Sequence, residues 1–239
     1  MRSVPVRMRT GGDVGMARFE DALRALEEGG EPRIRDGLER YGIKTSERVI
    51  GVPMATIQRI AKILGRDHDL AAALWSSGIY EARLLAAYVE NPGQVSAEQM
   101  DEWARGFDNW ATCDTLCFAL FDRTEHAFAM VDRWASDDAE FVKRSAFGLL
   151  AAKALHDKSC PDDPFLARLD LIEAASGDDR NFVKKGVSWA LRNIGHRKSD
   201  PLRGAARCVA ERLAASPERS ARWIGKDALR AFDKAAAKA

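Results

Sequence analysis

One pattern constrains this chain more than any other. The hexapeptide Phe141-Val142-Lys143-Arg144-Ser145-Ala146 returns as Phe182-Val183-Lys184-Lys185-Gly186-Val187, with a looser echo in Trp223-Ile224-Gly225-Lys226-Asp227-Ala228-Leu229. The basic positions Arg144, Lys185 and Lys226 are separated by 41 residues each time. An earlier member, Tyr80-Glu81-Ala82-Arg83-Leu84-Leu85-Ala86, lies off this spacing, so the intervening repeats are irregular. A repeated unit of this length cannot bury its apolar stripe alone; it stacks on its neighbours, and equivalent positions project from the same side. The recurring basic residue therefore predicts a row of positive charge along one face.

Helical signals fill the chain and β-signals are almost absent. Val14–Glu28 and Pro32–Tyr41 read as two opening helices separated by Gly29-Gly30. Pro53 suits the first turn of a helix over Met54–Leu64, which Gly65 stops. A hairpin about Gly78 joins helices over His68–Ser76 and Ile79–Glu90, and Asn91-Pro92-Gly93 is a break. Ser96 followed by Gln99 resembles a capping box for a helix through Arg105. Further helices are expected over 109–121, 125–136, 139–156, 165–176, 181–195, 201–214 and 219–236. Two helices in a period near 41 residues match a HEAT-like repeat. The expected fold is therefore all-α: a HEAT-like helical-repeat superhelix, a curved solenoid of about six antiparallel helix pairs. It is expected as a single domain over residues 14–239, preceded by a disordered basic tail over 1–13.

A chain of 239 residues is long enough to bury a core without disulfides or a metal. Its 46% hydrophobic and 31% charged residues argue against disorder. No apolar run approaches the roughly 20 residues of a membrane span. The basic N-terminus is not followed by the apolar stretch of a signal peptide. A soluble, cytoplasmic, nucleoid-associated monomer without an obligate protein partner is expected. Cys113 and Cys117 are one helical turn apart and read as small, reduced core residues. With Cys160 and Cys208 they form no metal-ligand spacing, and His68, His126, His156 and His196 are assigned no role.

The net charge of +1 conceals an asymmetry. From Arg180 to Ala239 there are fifteen Lys and Arg against five Asp and Glu, a balance of +10. Residues 1–179 hold 22 basic and 31 acidic residues, a balance of −9. Such a division points to an anionic partner, nucleic acid first, or else to solvated helical faces.

Specific stretches narrow the choice. They are Tyr41-Gly42-Ile43-Lys44-Thr45, Gly51-Val52-Pro53 running into Arg59-Ile60-Ala61-Lys62, Leu74-Trp75 and Tyr80-Glu81-Ala82-Arg83. Asp108-Asn109-Trp110-Ala111-Thr112-Cys113-Asp114 and Phe141-Val142-Lys143-Arg144 follow. The last are Asn181-Phe182-Val183-Lys184-Lys185, Ser188-Trp189-Ala190-Leu191-Arg192 and Ser220-Ala221-Arg222-Trp223-Ile224. In number, order and spacing these resemble the AlkD-like DNA alkylation repair family over roughly Tyr41 to Phe232.

The resemblance implies a glycosylase that removes positively charged N3- and N7-alkylpurines from duplex DNA. It implies no metal or organic cofactor and no base-flipping pocket. The family's active-face residues fall on Trp110, Asp114, Arg144 and Trp189. Where many relatives have an acidic residue after the first tryptophan, this chain has Ala111.

The chemistry suits those residue types. Alkylation at N3 or N7 makes the purine a cationic leaving group, so no strong general acid is needed. A preorganised carboxylate stabilises oxocarbenium character on the sugar and orients water, which is the role expected of Asp114. Electron-rich indoles attract cations, the role expected of Trp110 and Trp189. Arg144 is expected to hold a phosphate oxygen, with Lys185, Arg192 and Lys226 as further backbone contacts. Trp75, Trp103, Trp134 and Trp223 are read as structural. Two other functions stay open: a non-catalytic protein of this fold that binds distorted or branched DNA, and a protein-binding scaffold.

Overall fold

The computed structural model describes residues 11–237. Most of the expected tail over 1–13 lies outside the described residues. Contacts divide the chain after Asn91 into two compact units.

The first unit contains α1 (Gly11–Glu28), α2 (Pro32–Arg35), α3 (Met54–Leu64), α4 (His68–Trp75) and α5 (Tyr80–Val89). Helix α1 starts at Gly11, ahead of the expected Val14. The helix expected over Pro32–Tyr41 is broken. Asp36 and Gly37, both weak helix formers, end α2 after one turn, and Leu38–Tyr41 forms a separate 3₁₀ turn. Asp67 caps α4 by accepting the Leu70 N–H. Leu26, Ile57, Leu74, Leu84 and Leu85 are fully buried and make the core.

One buried carboxylate orders the loop before α3. Glu81 accepts the N–H groups of Ile50, Gly51 and Val52 at 2.9, 2.6 and 3.3 Å. A charge at 1% exposure is tolerated because these donors replace its water. Gly51 has φ +95°, and a Cβ there would lie 2.5 Å from the Glu31 carbonyl oxygen, so no larger residue fits.

The second unit contains α6 (Ala97–Arg105), α7 (Trp110–Ala119), α8 (Ala127–Trp134), α9 (Glu140–His156), α10 (Asp163–Leu166), α11 (Leu169–Ala174), α12 (Asn181–Gly195), α13 (Asp200–Ala214) and α14 (Arg219–Ala236). Ser96 accepts the Gln99 N–H at the start of α6, as the sequence predicts. The helix expected over 165–176 is interrupted: the Arg168 N–H bonds the Phe165 carbonyl, three residues back, and α10 ends.

Helices α7, α9, α12 and α14 pack in succession, with α8 against α9 and α13 against α12 and α14. This is the stacking that the repeat predicts. The backbones of α13 and α14 nearly touch at Gly225, where a Cβ would lie 2.2 Å from the Ala214 nitrogen. Among the described residues there is no strand, only an isolated bridge between Arg48 and Ile79. None of the described helices is long and apolar enough to cross a membrane.

Candidate functional site

The site is built on the row α7, α9, α12. Asn109 sets its first element. The Asn109 side-chain carbonyl accepts the Ala111 and Thr112 N–H groups, each at 3.0 Å, and its amide donates to Thr112 Oγ1 at 3.1 Å. This cap makes Trp110 the first residue of α7. Trp110, Asp114 and Phe118 then follow at intervals of four, so their side chains share one stripe.

Helix α9 answers that stripe with a cation. Arg144 Nε donates to Asp114 Oδ1 at 2.8 Å and Nη2 to Oδ2 at 2.7 Å. Nη1 donates to the Phe182 carbonyl of α12 at 2.6 Å. The approach is close because small residues line it. Cys113 and Cys117 are fully buried, Cys113 Sγ lies 3.1 Å from Ser145 Oγ, and Gly186 faces the Arg144 stem. The side chains of Arg144 and Asp114 are 7% and 17% exposed.

Two opposed influences act on this pair. Burial pushes the Asp114 carboxyl above the usual carboxylate range, while the charge and two hydrogen bonds of Arg144 pull it back down. Burial likewise disfavours the charged form of Arg144, but the Asp114 carboxylate outweighs it and raises the guanidinium further. The paired charges and hydrogen bonds fix the two side chains in position.

The fork of Arg144 is committed to Asp114 and to the Phe182 carbonyl. Trp189 of α12 is half-buried and lies flat against Phe118, with ring centroids 4.4 Å apart and planes 5° from parallel. Phe118 and His156 meet in a T-shaped arrangement, and His156 Nδ1 is 2.6 Å from Asp122 Oδ2. Phe118 and His156 were missed by sequence reasoning. The spacing of Phe118 from Trp110 and Asp114 carried the signal for the first; only tertiary packing supplies the second.

The outlying basic residues differ among themselves. Lys185 and Lys226 are exposed. Arg192 is 3.4 Å from Asp227, which also accepts the Ser188 hydroxyl at 2.7 Å, so its charge is partly spent within the protein. Trp75, Trp103 and Trp134 are buried. Trp223 is 36% exposed with Lys184 Nζ 5.1 Å from its ring centre, which a core role does not explain. Among the described residues no group of three or more His, Cys, Asp or Glu is arranged to hold a metal.

Solved structures place this architecture among HEAT-like helical-repeat proteins. One, described as belonging to "a new family of proteins related to the HEAT-like repeat DNA glycosylases with affinity for branched DNA structures", matches with a TM-score of 0.73. It is 18% identical, and the match covers 89% of this chain and 94% of the other. A second, smu.31 from Streptococcus mutans UA159, matches with a TM-score of 0.50 at 18% identity, covering 90% of this chain and 95% of the other. At these identities the likeness is one of fold. No curated protein matches. The family model described as DNA alkylation repair enzyme matches residues 22–232, and the chain belongs to that family.

Proposed function

We propose that this protein is a DNA glycosylase that releases N3- and N7-alkylated purines from duplex DNA and leaves an abasic site. One observation carries the reading: the Asp114 carboxylate is held rigidly by the Arg144 fork, one helical turn from Trp110, with 17% of its side chain open to solvent. Each carboxylate oxygen accepts one hydrogen bond from Arg144, and the solvent-open part of the side chain is the approach for water or a sugar.

The alkylated base carries its own positive charge, so bond cleavage needs no proton donor. Positive charge develops on the sugar instead. A carboxylate already oriented, in a site of low water content, stabilises that charge without reorganising. It also orients the water that completes the hydrolysis. The indole of Trp110 provides a π-face for cationic character, worth about 0.5–2 kcal/mol depending on desolvation. Trp189, its plane set by Phe118, serves the same end from α12. Lys185 and Lys226 supply phosphate contacts. Neither metal nor organic cofactor enters this scheme.

A second reading has an observation of its own. The Arg144 charge neutralises Asp114, so the pair also suits a strut in a protein that binds DNA without chemistry. The structural relative with affinity for branched DNA lies in that direction.

Base release separates the two. Duplexes containing N7-methylguanine or N3-methyladenine are incubated with the wild type and with Asp114→Asn, and freed base is quantified. The expected result is release by the wild type and a loss of about 10²-fold or more in the variant. Binding to undamaged duplex stays within about twofold, since Asn keeps the side-chain shape. Absence of release by a wild type that binds junctions well establishes the second reading.

A further inference from the structure

We infer that the pocket around Trp223 is a subsite for an unpaired nucleotide, separate from the Asp114 site and resting on the reading that the chain binds DNA. The pocket has a volume of about 490 Å³ and is lined by Asp179, Lys184, Arg219, Ser220 and Trp223. Its lining comes from the start of α12, the start of α14 and the turn before α12.

Two unpaired cations beside an exposed indole mark this pocket. Several arginines of the basic C-terminal segment are spent on carboxylates: Arg180 pairs with Asp178, Arg192 with Asp227, Arg203 with Asp200, Arg207 with Asp233 and Arg212 with Glu173. Among the described residues, neither Lys184 nor Arg219 lies within 4.0 Å of a carboxylate. Lys184 lies over the Trp223 ring instead, and Arg219 is exposed. Two cations without counterions therefore flank an indole that is 36% exposed.

Each part matches one part of a nucleotide. The indole offers a plane on which any base stacks. Lys184 and Arg219 offer charge to the adjoining phosphate, and Arg219 adds a planar fork suited to phosphate oxygens. Asp179, exposed at the rim, is an acceptor for an exocyclic amino group. An inorganic anion alone would leave the indole unused and would meet Asp179 unfavourably. An apolar ligand would leave both cations unused. Bases inside a duplex have both faces covered by their neighbours, so the occupant is a nucleotide at a frayed end, an overhang or a strand junction.

The test measures binding by fluorescence anisotropy to a blunt duplex and to the same duplex with a three-nucleotide single-stranded overhang. Wild type, Trp223→Ala, Trp223→Phe and Arg219→Gln are compared, each checked for folding by circular dichroism. The wild type is expected to prefer the overhang by about tenfold, in line with the stacking of one base. Trp223→Ala abolishes the preference and leaves blunt-duplex binding unchanged. Trp223→Phe retains most of it, and Arg219→Gln reduces it. Base release from a damaged blunt duplex is unaffected by Trp223→Ala.

A wild type that binds blunt and overhang DNA equally overturns the subsite and leaves the DNA-binding reading standing. So does a Trp223→Ala variant with the wild-type ratio. A wild type that binds neither DNA removes both.

Discussion

Replacing Arg144 with Met strips the guanidinium from the site while keeping much of its aliphatic stem. The change removes the 2.8 and 2.7 Å hydrogen bonds to Asp114 and the 2.6 Å bond to the Phe182 carbonyl. It leaves the Asp114 carboxylate, 17% exposed, without its countercharge. Loss of one partner from such a buried pair costs about 3–5 kcal/mol. In a chain of this size each kcal/mol lowers Tm by roughly 2–4 °C, so a fall of about 6–20 °C is expected. Adding Asp114→Asn to Arg144→Met removes the stranded charge and recovers about 1–3 kcal/mol, a coupling that a double-mutant cycle measures by urea denaturation.

The same substitution alters the pH dependence of base release. Burial already holds the Asp114 carboxyl above its ordinary range, and the Arg144 charge opposes that rise. Removing Arg144 removes the opposition, so the carboxyl takes up its proton at a higher pH. Activity that depends on the ionised form is lost as pH falls through this value, and its acid limb moves upward in the variant. A Tm within about 2 °C of wild type, or strictly additive effects of the two substitutions, would refute the pair as a buried electrostatic contact.

Two further predictions concern the fold. Gly225→Ala forces a Cβ to within 2.2 Å of the Ala214 nitrogen and 2.4 Å of the Ala210 oxygen. Calorimetry should show a loss of about 1–3 kcal/mol or more as α13 and α14 separate, and wild-type stability would rule out the close crossing. Asp178 is held down to about 2, first by its hydrogen bonds to Arg180 and also by Lys143, against an ordinary value of 3.8. Its stabilisation is complete above the ordinary value and is lost as pH falls through the folded one. Asp178→Asn should therefore be less stable than wild type at neutral pH, with the gap closing as pH falls through about 2, and a gap independent of pH would contradict the assignment.

The sequence by itself determined what is local or periodic. Helix propensity, end signals such as Ser96 and Gly65, and the recurrence of a basic residue every 41 positions led to an all-α repeat fold. They also placed Trp110 and Asp114 on one face, because four residues along a helix is a fixed displacement. Helix ends were legible where a cap or glycine marked them. The breaks at Asp36-Gly37 and at Arg168 were not read, because residues that favour helix flank each of them on both sides.

Tertiary structure decided the partners. The 30-position separation of Asp114 and Arg144 carries no information about which way the fork of Arg144 turns. Only the packing of α9 on α7, past Cys113 and Cys117, brings the fork of Arg144 onto the Asp114 carboxylate. Only the stacking of α12 on that row lays Trp189 against Phe118. The same holds for Trp223, whose identity suggests a core residue and whose place at the start of α14 leaves its ring open beside Lys184. Local structure follows from short-range sterics and hydrogen bonds that the sequence states directly. Which side chains meet, and which charges remain unmatched, depends on helix packing across tens of residues, and that is settled only when the repeats stack.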